Sequence, residues 1–139
     1  MGCMLKVLSL LFLAMLPSLA CATDGYKCTP KAARSLSLDG SLEQNPFPKL
    51  LLKLNDSFIV DRESGRMVGS KGFANHNGQF GSPTVLDPGS AEQSFKALTI
   101  YRPNAAIAYL EIQQFAEGES KPFIYYGSGV VVTGICVSL

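Results

Sequence analysis

The chain has 139 residues, 47% of them apolar, with 12 Lys and Arg against 11 Asp and Glu, four cysteines and a single histidine. That length suits one ordinary domain with its own core. Near-neutrality without a basic run gives no electrostatic reason to seek nucleic acid or an anionic bilayer.

Residues 1–22 read as a leader. Lys6 is their only charge, an apolar run covers Val7 to Leu16, and Pro17 precedes the small-residue exit Ala20-Cys21-Ala22. This is the three-part layout of a cleaved secretory signal, with cleavage expected after Ala22. Two alternatives share the same residues: acylation of Cys21 as the first residue of a lipoprotein, or an uncleaved anchor, which Lys6 and Pro17 would interrupt. Cleavage leaves a single domain from Thr23 to Leu139, formally neutral at 11 charges of each sign and without a membrane span. The expected location is the periplasm or the medium.

That address decides the expected state of the cysteines. Cys3 lies in the leader and Cys21 beside the cleavage site, so Cys28 and Cys136 remain, and two cysteines in an oxidising compartment most simply pair. In the chain-entropy account, so long a closed loop restrains the unfolded chain by ~4–5 kcal/mol. Two buried free thiols are the alternative. With no CxxC and no histidine beside either cysteine, no metal or other cofactor is expected.

In chain order, Tyr26 to Thr29 reads as a brief strand, and Thr29 to Arg34 as one helical turn with Thr as cap and Pro in the first position. Ser35 to Leu38 alternates, and Asp39-Gly40 turns. Lys49 to Leu54 fits either a helical turn or a buried strand. Phe58-Ile59-Val60 and Arg66-Met67-Val68 form a hairpin across Asp61 to Gly65. Ser70 to Pro83 is a long polar, glycine-rich connection, followed by a strand at Thr84 to Leu86 and a stop at Asp87-Pro88-Gly89. Phe95 to Tyr101 alternates, with Phe95, Ala97, Thr99 and Tyr101 on one face. Ile107 to Phe115 alternates as well, Ile107, Tyr109, Glu111, Gln113 and Phe115 opposing Ala108, Leu110, Ile112 and Gln114. Pro122 to Tyr126 and Val130 to Cys136 make a last hairpin across Gly127 to Gly129.

Seven or eight short strands with short connections predict an all-β domain: a small antiparallel barrel or strongly curved meander sheet, with a two-sheet sandwich as the alternative. The bridge would then join the first strand to the last.

Signals for chemistry are few. His76 is alone, and with Cys28 and Cys136 oxidised no thiol nucleophile remains. No nucleophile elbow, metalloprotease helix motif, phosphate loop or dinucleotide fingerprint is present. Asp61 with Glu63, and Glu117 with Glu119, occupy turns rather than facing strands. A non-enzymatic binding role is therefore expected. The candidate binding loop spans Ser64 to Pro83 and carries Ser64, Arg66, Lys71, Phe73, Asn75, His76, Asn77 and Phe80, because long connections in compact domains often hold function. A second candidate is an apolar pocket inside the barrel, lined by Phe58, Tyr109 or Phe115, which would suit a carrier of a small apolar ligand.

Several stretches together resemble an uncharacterised group of small exported bacterial proteins: Tyr26 to Pro30, Phe58 to Arg66, Glu92 to Lys96, Pro122-Phe123 and Thr133 to Cys136. The similarity implies export but no activity. The layout is also similar, more loosely, to periplasmic C-type lysozyme inhibitors, small barrels with a cysteine near each end. Their inhibitory loop has Ser-Gly followed two residues later by Tyr; here Ser64-Gly65 leads to Arg66-Met67-Val68, and Ser128-Gly129 to three valines. What is expected is an exported β-domain that binds a protein or a component of the cell envelope.

Overall fold

The computed structural model describes residues 24–139; the leader, its cleavage after Ala22 and the acylation of Cys21 all fall outside them. Nine strands and one helix follow in order: β1 (Gly25–Leu36), β2 (Leu42–Glu43), α1 (Pro46–Leu54), β3 (Phe58–Asp61), β4 (Met67–Val68), β5 (Pro83–Pro88), β6 (Phe95–Tyr101), β7 (Ala106–Ile112), β8 (Ser120–Gly127) and β9 (Val130–Ser138). All nine belong to one antiparallel sheet, ordered β4-β3-β1-β9-β8-β7-β6-β5, with β2 paired to β1 off that path. The all-β expectation holds in its curved single-sheet form, a curled half-barrel, and the sandwich does not.

Strands β5 to β9 are a meander joined by short turns. The last of these, Ser128-Gly129, has positive φ at both residues (52° and 72°) and closes β8 onto β9 at the Gly127–Val130 pair. That is the backbone twist a two-residue hairpin requires. β1 returns to pair along nearly all of β9, so the first strand lies against the last.

β1 corrects one expectation. Thr29 to Arg34 is not a helical turn but the middle of a twelve-residue strand. The capping signal at Thr29-Pro30 is overridden by nine residue pairs with β9. Pro30 is tolerated because β3 pairs only as far as Cys28, so no donor is needed on that side. The register shifts between Pro30 and Ala32, leaving Lys31 as the extra residue of a bulge. The bulge moves the inward positions from Tyr26 and Cys28 to Ala33.

The segment left open between helix and strand is helical. Asn45 caps α1, its side chain accepting from the Phe47 N–H, and prolines stand in the first turn. The helix leads from the β2 end of the sheet to the start of β3.

The concave face holds the core. Phe58 stacks on Phe73 with ring centres 4.7 Å apart, and meets Phe123 edge-on at 5.5 Å. Phe73 meets Tyr125 at 5.2 Å, and Tyr26 meets Phe95 at 5.6 Å. β6 points Phe95, Ala97 and Thr99 inward, as its alternation predicts. In β7 the inward set is Ala108, Leu110 and Ile112. Tyr109 and Phe115 therefore do not line the interior: Tyr109 stands on the convex face and Phe115 is exposed. Phe58 is the one interior candidate buried in the core, and it contacts other rings rather than an open space.

Cys28 and Cys136 are directly opposite in the β1–β9 ladder and form a disulfide, with Cα atoms 3.9 Å apart and both side chains buried. Two residues along β9, a Cβ on Gly134 would lie 2.2 Å from the Thr29 carbonyl oxygen and 2.6 Å from the Phe123 ring, so only glycine fits there.

β4 and β5, at the two ends of the strand path, are not paired with each other. Arg62 spans this seam. Its guanidinium donates to the Pro88 and Gly89 carbonyls at 2.7 and 2.8 Å, and pairs with Asp24 at 3.3 Å.

Candidate functional site

The connection from Gly69 to Ser82 divides into parts with different tasks. Phe73 is 1% exposed and belongs to the core. Asn75 is also buried; its amide oxygen accepts from the Met67 N–H at 2.7 Å and its NH₂ donates to the Gly65 carbonyl at 2.9 Å. These two residues hold the loop onto the sheet. Asn77 forms an isolated bridge with Gly81. Ser64 donates to the Asp61 carboxylate in the β3–β4 turn, which holds that carboxyl below its usual range. Arg66, Lys71 and His76 border a shallow depression on the outside of this region, with Ser82 Oγ 3.4 Å from His76 Nδ1. Phe80 is half-exposed on the same connection.

The deeper concavity lies between this loop and α1. It is a groove of about 630 Å³, within the range of small-molecule sites. Phe47, Leu50, Leu51 and Leu54 form one wall; Gly69 to Gly72 and the Gly127-Ser128 turn form the other. The helical period explains the apolar wall. Pro48, Leu51 and Leu52 turn toward the core, whereas Phe47, Leu50 and Leu54, at i, i+3 and i+7, occupy an adjoining stripe that the core does not cover. They remain 52, 50 and 70% exposed. Lys49 and Lys53 occupy the remaining side. The apolar arc of α1 is thus wider than the sheet needs.

Asn55 fixes the floor. Its NH₂ donates to the Leu51 carbonyl at 2.6 Å, closing the end of α1, and its oxygen accepts from the Gly72 N–H at 3.0 Å and from the Ser70 hydroxyl. The helix and the loop therefore share one buried amide as a hinge point. Tyr125 reaches the groove from β8, its hydroxyl lying over Gly127, where a Cβ would come within 2.3 Å of it. Burial, with a smaller contribution from Tyr101, pushes the Tyr125 hydroxyl up to about 12, so it stays protonated at neutral pH. Lys71 on the rim is the only formally charged side chain among the lining residues.

Of the loop candidates, Lys71 alone borders this groove. Phe47, Leu50, Leu54 and Asn55 escaped sequence reasoning, although Asn45-Pro46 is a helix-start signal that would have placed the 47/50/54 stripe. Among the described residues no group of three or more His, Cys, Asp or Glu is arranged to hold a metal ion, and no helix is long and apolar enough to cross a membrane. The arrangement offers apolar surface with a few polar groups at its edge. The chain matches no protein-family model, no curated protein and no solved structure.

Proposed function

We propose that the protein is an exported, non-enzymatic β-domain that binds a component of the cell envelope in the groove between α1 and the Gly69–Gly72 loop. The observation that carries this reading is the uncovered Phe47/Leu50/Leu54 stripe, facing a concavity of ligand size. Exposed apolar residues are ordinary when scattered; three aligned on one helix face and walled opposite by a loop support a binding role. A buried disulfide between the first and last strands accords with an oxidising compartment.

The test uses ¹⁵N-labelled protein titrated with envelope extract from the host. Amide shifts should concentrate at Gly69, Gly72 and Gly127 and disappear in the Leu50→Asp/Leu54→Asp variant, whose changes are at exposed positions and leave folding intact. Shifts elsewhere, or shifts that survive in the variant, would remove the groove from consideration. For export, mass analysis of the mature protein should find Thr23 as the first residue; a diacylated Cys21 would replace free release with anchoring.

A further inference from the structure

The geometry points to a more specific occupant for this groove, resting on the reading just given: a free, single-chain amphiphile with an anionic head, of the fatty-acid type. Three features of the groove select it. The first is shape. From Phe47 to Leu54 the apolar stripe runs seven helical rises, about 10 Å, which matches a straight chain of roughly eight to ten carbons. The second is charge. The lining holds Lys71 and no carboxylate, so an anionic head gains an attraction that a cationic head of equal length would meet as repulsion. The third is a neutral donor in the same lining: the protonated Tyr125 hydroxyl suits a carboxylate oxygen, whereas the Ser70 hydroxyl and the Asn55 amide are committed to each other and to the Leu51 and Gly72 backbone.

A free amphiphile fits better than a bilayer. The described domain carries no basic run, and opposing charges are balanced from Thr23 onward, so little draws it to an anionic surface.

Decanoate and decyltrimethylammonium below their micellar concentrations, 1-decanol below its solubility limit, and vesicles of phosphatidylglycerol test the assignment. Decanoate should shift the amides of Gly69 to Gly72 and Gly127 saturably, with a midpoint at about 1 mM or below, as expected for one short chain. Decyltrimethylammonium should bind roughly fivefold more weakly, and Lys71→Glu should reverse that order while leaving 1-decanol within about twofold. Vesicles should not co-sediment the protein. Equal affinity for anion and cation, or no saturable shift in the groove, overturns the amphiphile. If decanoate fails while the extract signal remains sensitive to Leu50→Asp/Leu54→Asp, the groove reading stands and this occupant falls. Loss of both signals removes both. A concentration-dependent dimer abolished by Leu54→Asp, with no decanoate effect, would assign the stripe to a second copy of the chain instead.

Discussion

Asn55 and Asn75 solve one problem from two sides. Each buries a side-chain amide and spends its polar atoms on backbone that would otherwise lack a partner. Removing either partner of a buried hydrogen bond costs more than the bond contributes, because the other is left dry. Met67 is 1% exposed, so its N–H has no solvent to fall back on. Asn75→Ala should therefore lower stability by about 2–4 kcal/mol in urea unfolding at neutral pH, whereas His76→Ala, at an exposed position, should stay within about 0.5 kcal/mol. Tyr125 makes a second prediction at this scale. A phenol whose folded pKa exceeds its unfolded value keeps its proton longer in the native state, so stability is unaffected below pH 10 and falls as pH rises from 10 to about 12. The loss is on the order of 3 kcal/mol. Tyr125→Phe should lose less of its neutral-pH stability at about pH 11 than the native chain does. An identical decline in both proteins would rule out this tyrosine as the source.

At the scale of elements, β1 and β9 carry the closest approach in the sheet. Gly134→Ala would drive a Cβ into the Thr29 carbonyl, which is backbone in a paired strand and cannot move aside. A loss of about 3 kcal/mol or more is expected by thermal or urea unfolding, with the β1 amides exchanging hydrogen first. The hairpins were legible because two signals coincide in them, alternation and turn chemistry: Phe58-Ile59-Val60 with Gly65, and β8 with β9 across Ser128-Gly129. Alternation alone could not say which face of β7 turns inward. Ala108, Leu110 and Ile112 were as plausible as Ile107, Tyr109 and Glu111 until neighbouring strands fixed the register. At Thr29 to Arg34 of β1 a local helix-start pattern competes with a long-range ladder that no window of sequence contains. The groove was missed for the opposite reason. Its wall lies on a short helix, and Leu50, Leu51, Leu52 and Leu54 show no period until the helix is known.

For the whole molecule, the half-barrel closes by two unlike devices. On one side the Cys28–Cys136 bridge reinforces a full ladder; on the other Arg62 holds the β5 end through two carbonyls. Replacing both cysteines by alanine should lower stability by about 2–5 kcal/mol, measured by urea unfolding against the oxidised native chain. Arg62→Ala leaves the bridge in place and opens only the seam, so faster exchange of the β5 amides should precede any global loss.

The position of the bridge also sets how the domain answers force. Asp24, the first described residue, and Leu139 lie side by side, with the Leu139 N–H bonded to the Gly25 carbonyl at 3.0 Å, and Cys28 and Cys136 stand only a few residues inside them. A chain drawn apart by these ends unzips the outermost pairs of β1 and β9 and then meets a covalent stop, after lengthening by about 25 Å. Reduced, residues 24–139 would extend to roughly 400 Å. Everything between residues 28 and 136, the groove included, is shielded from tension applied at either end.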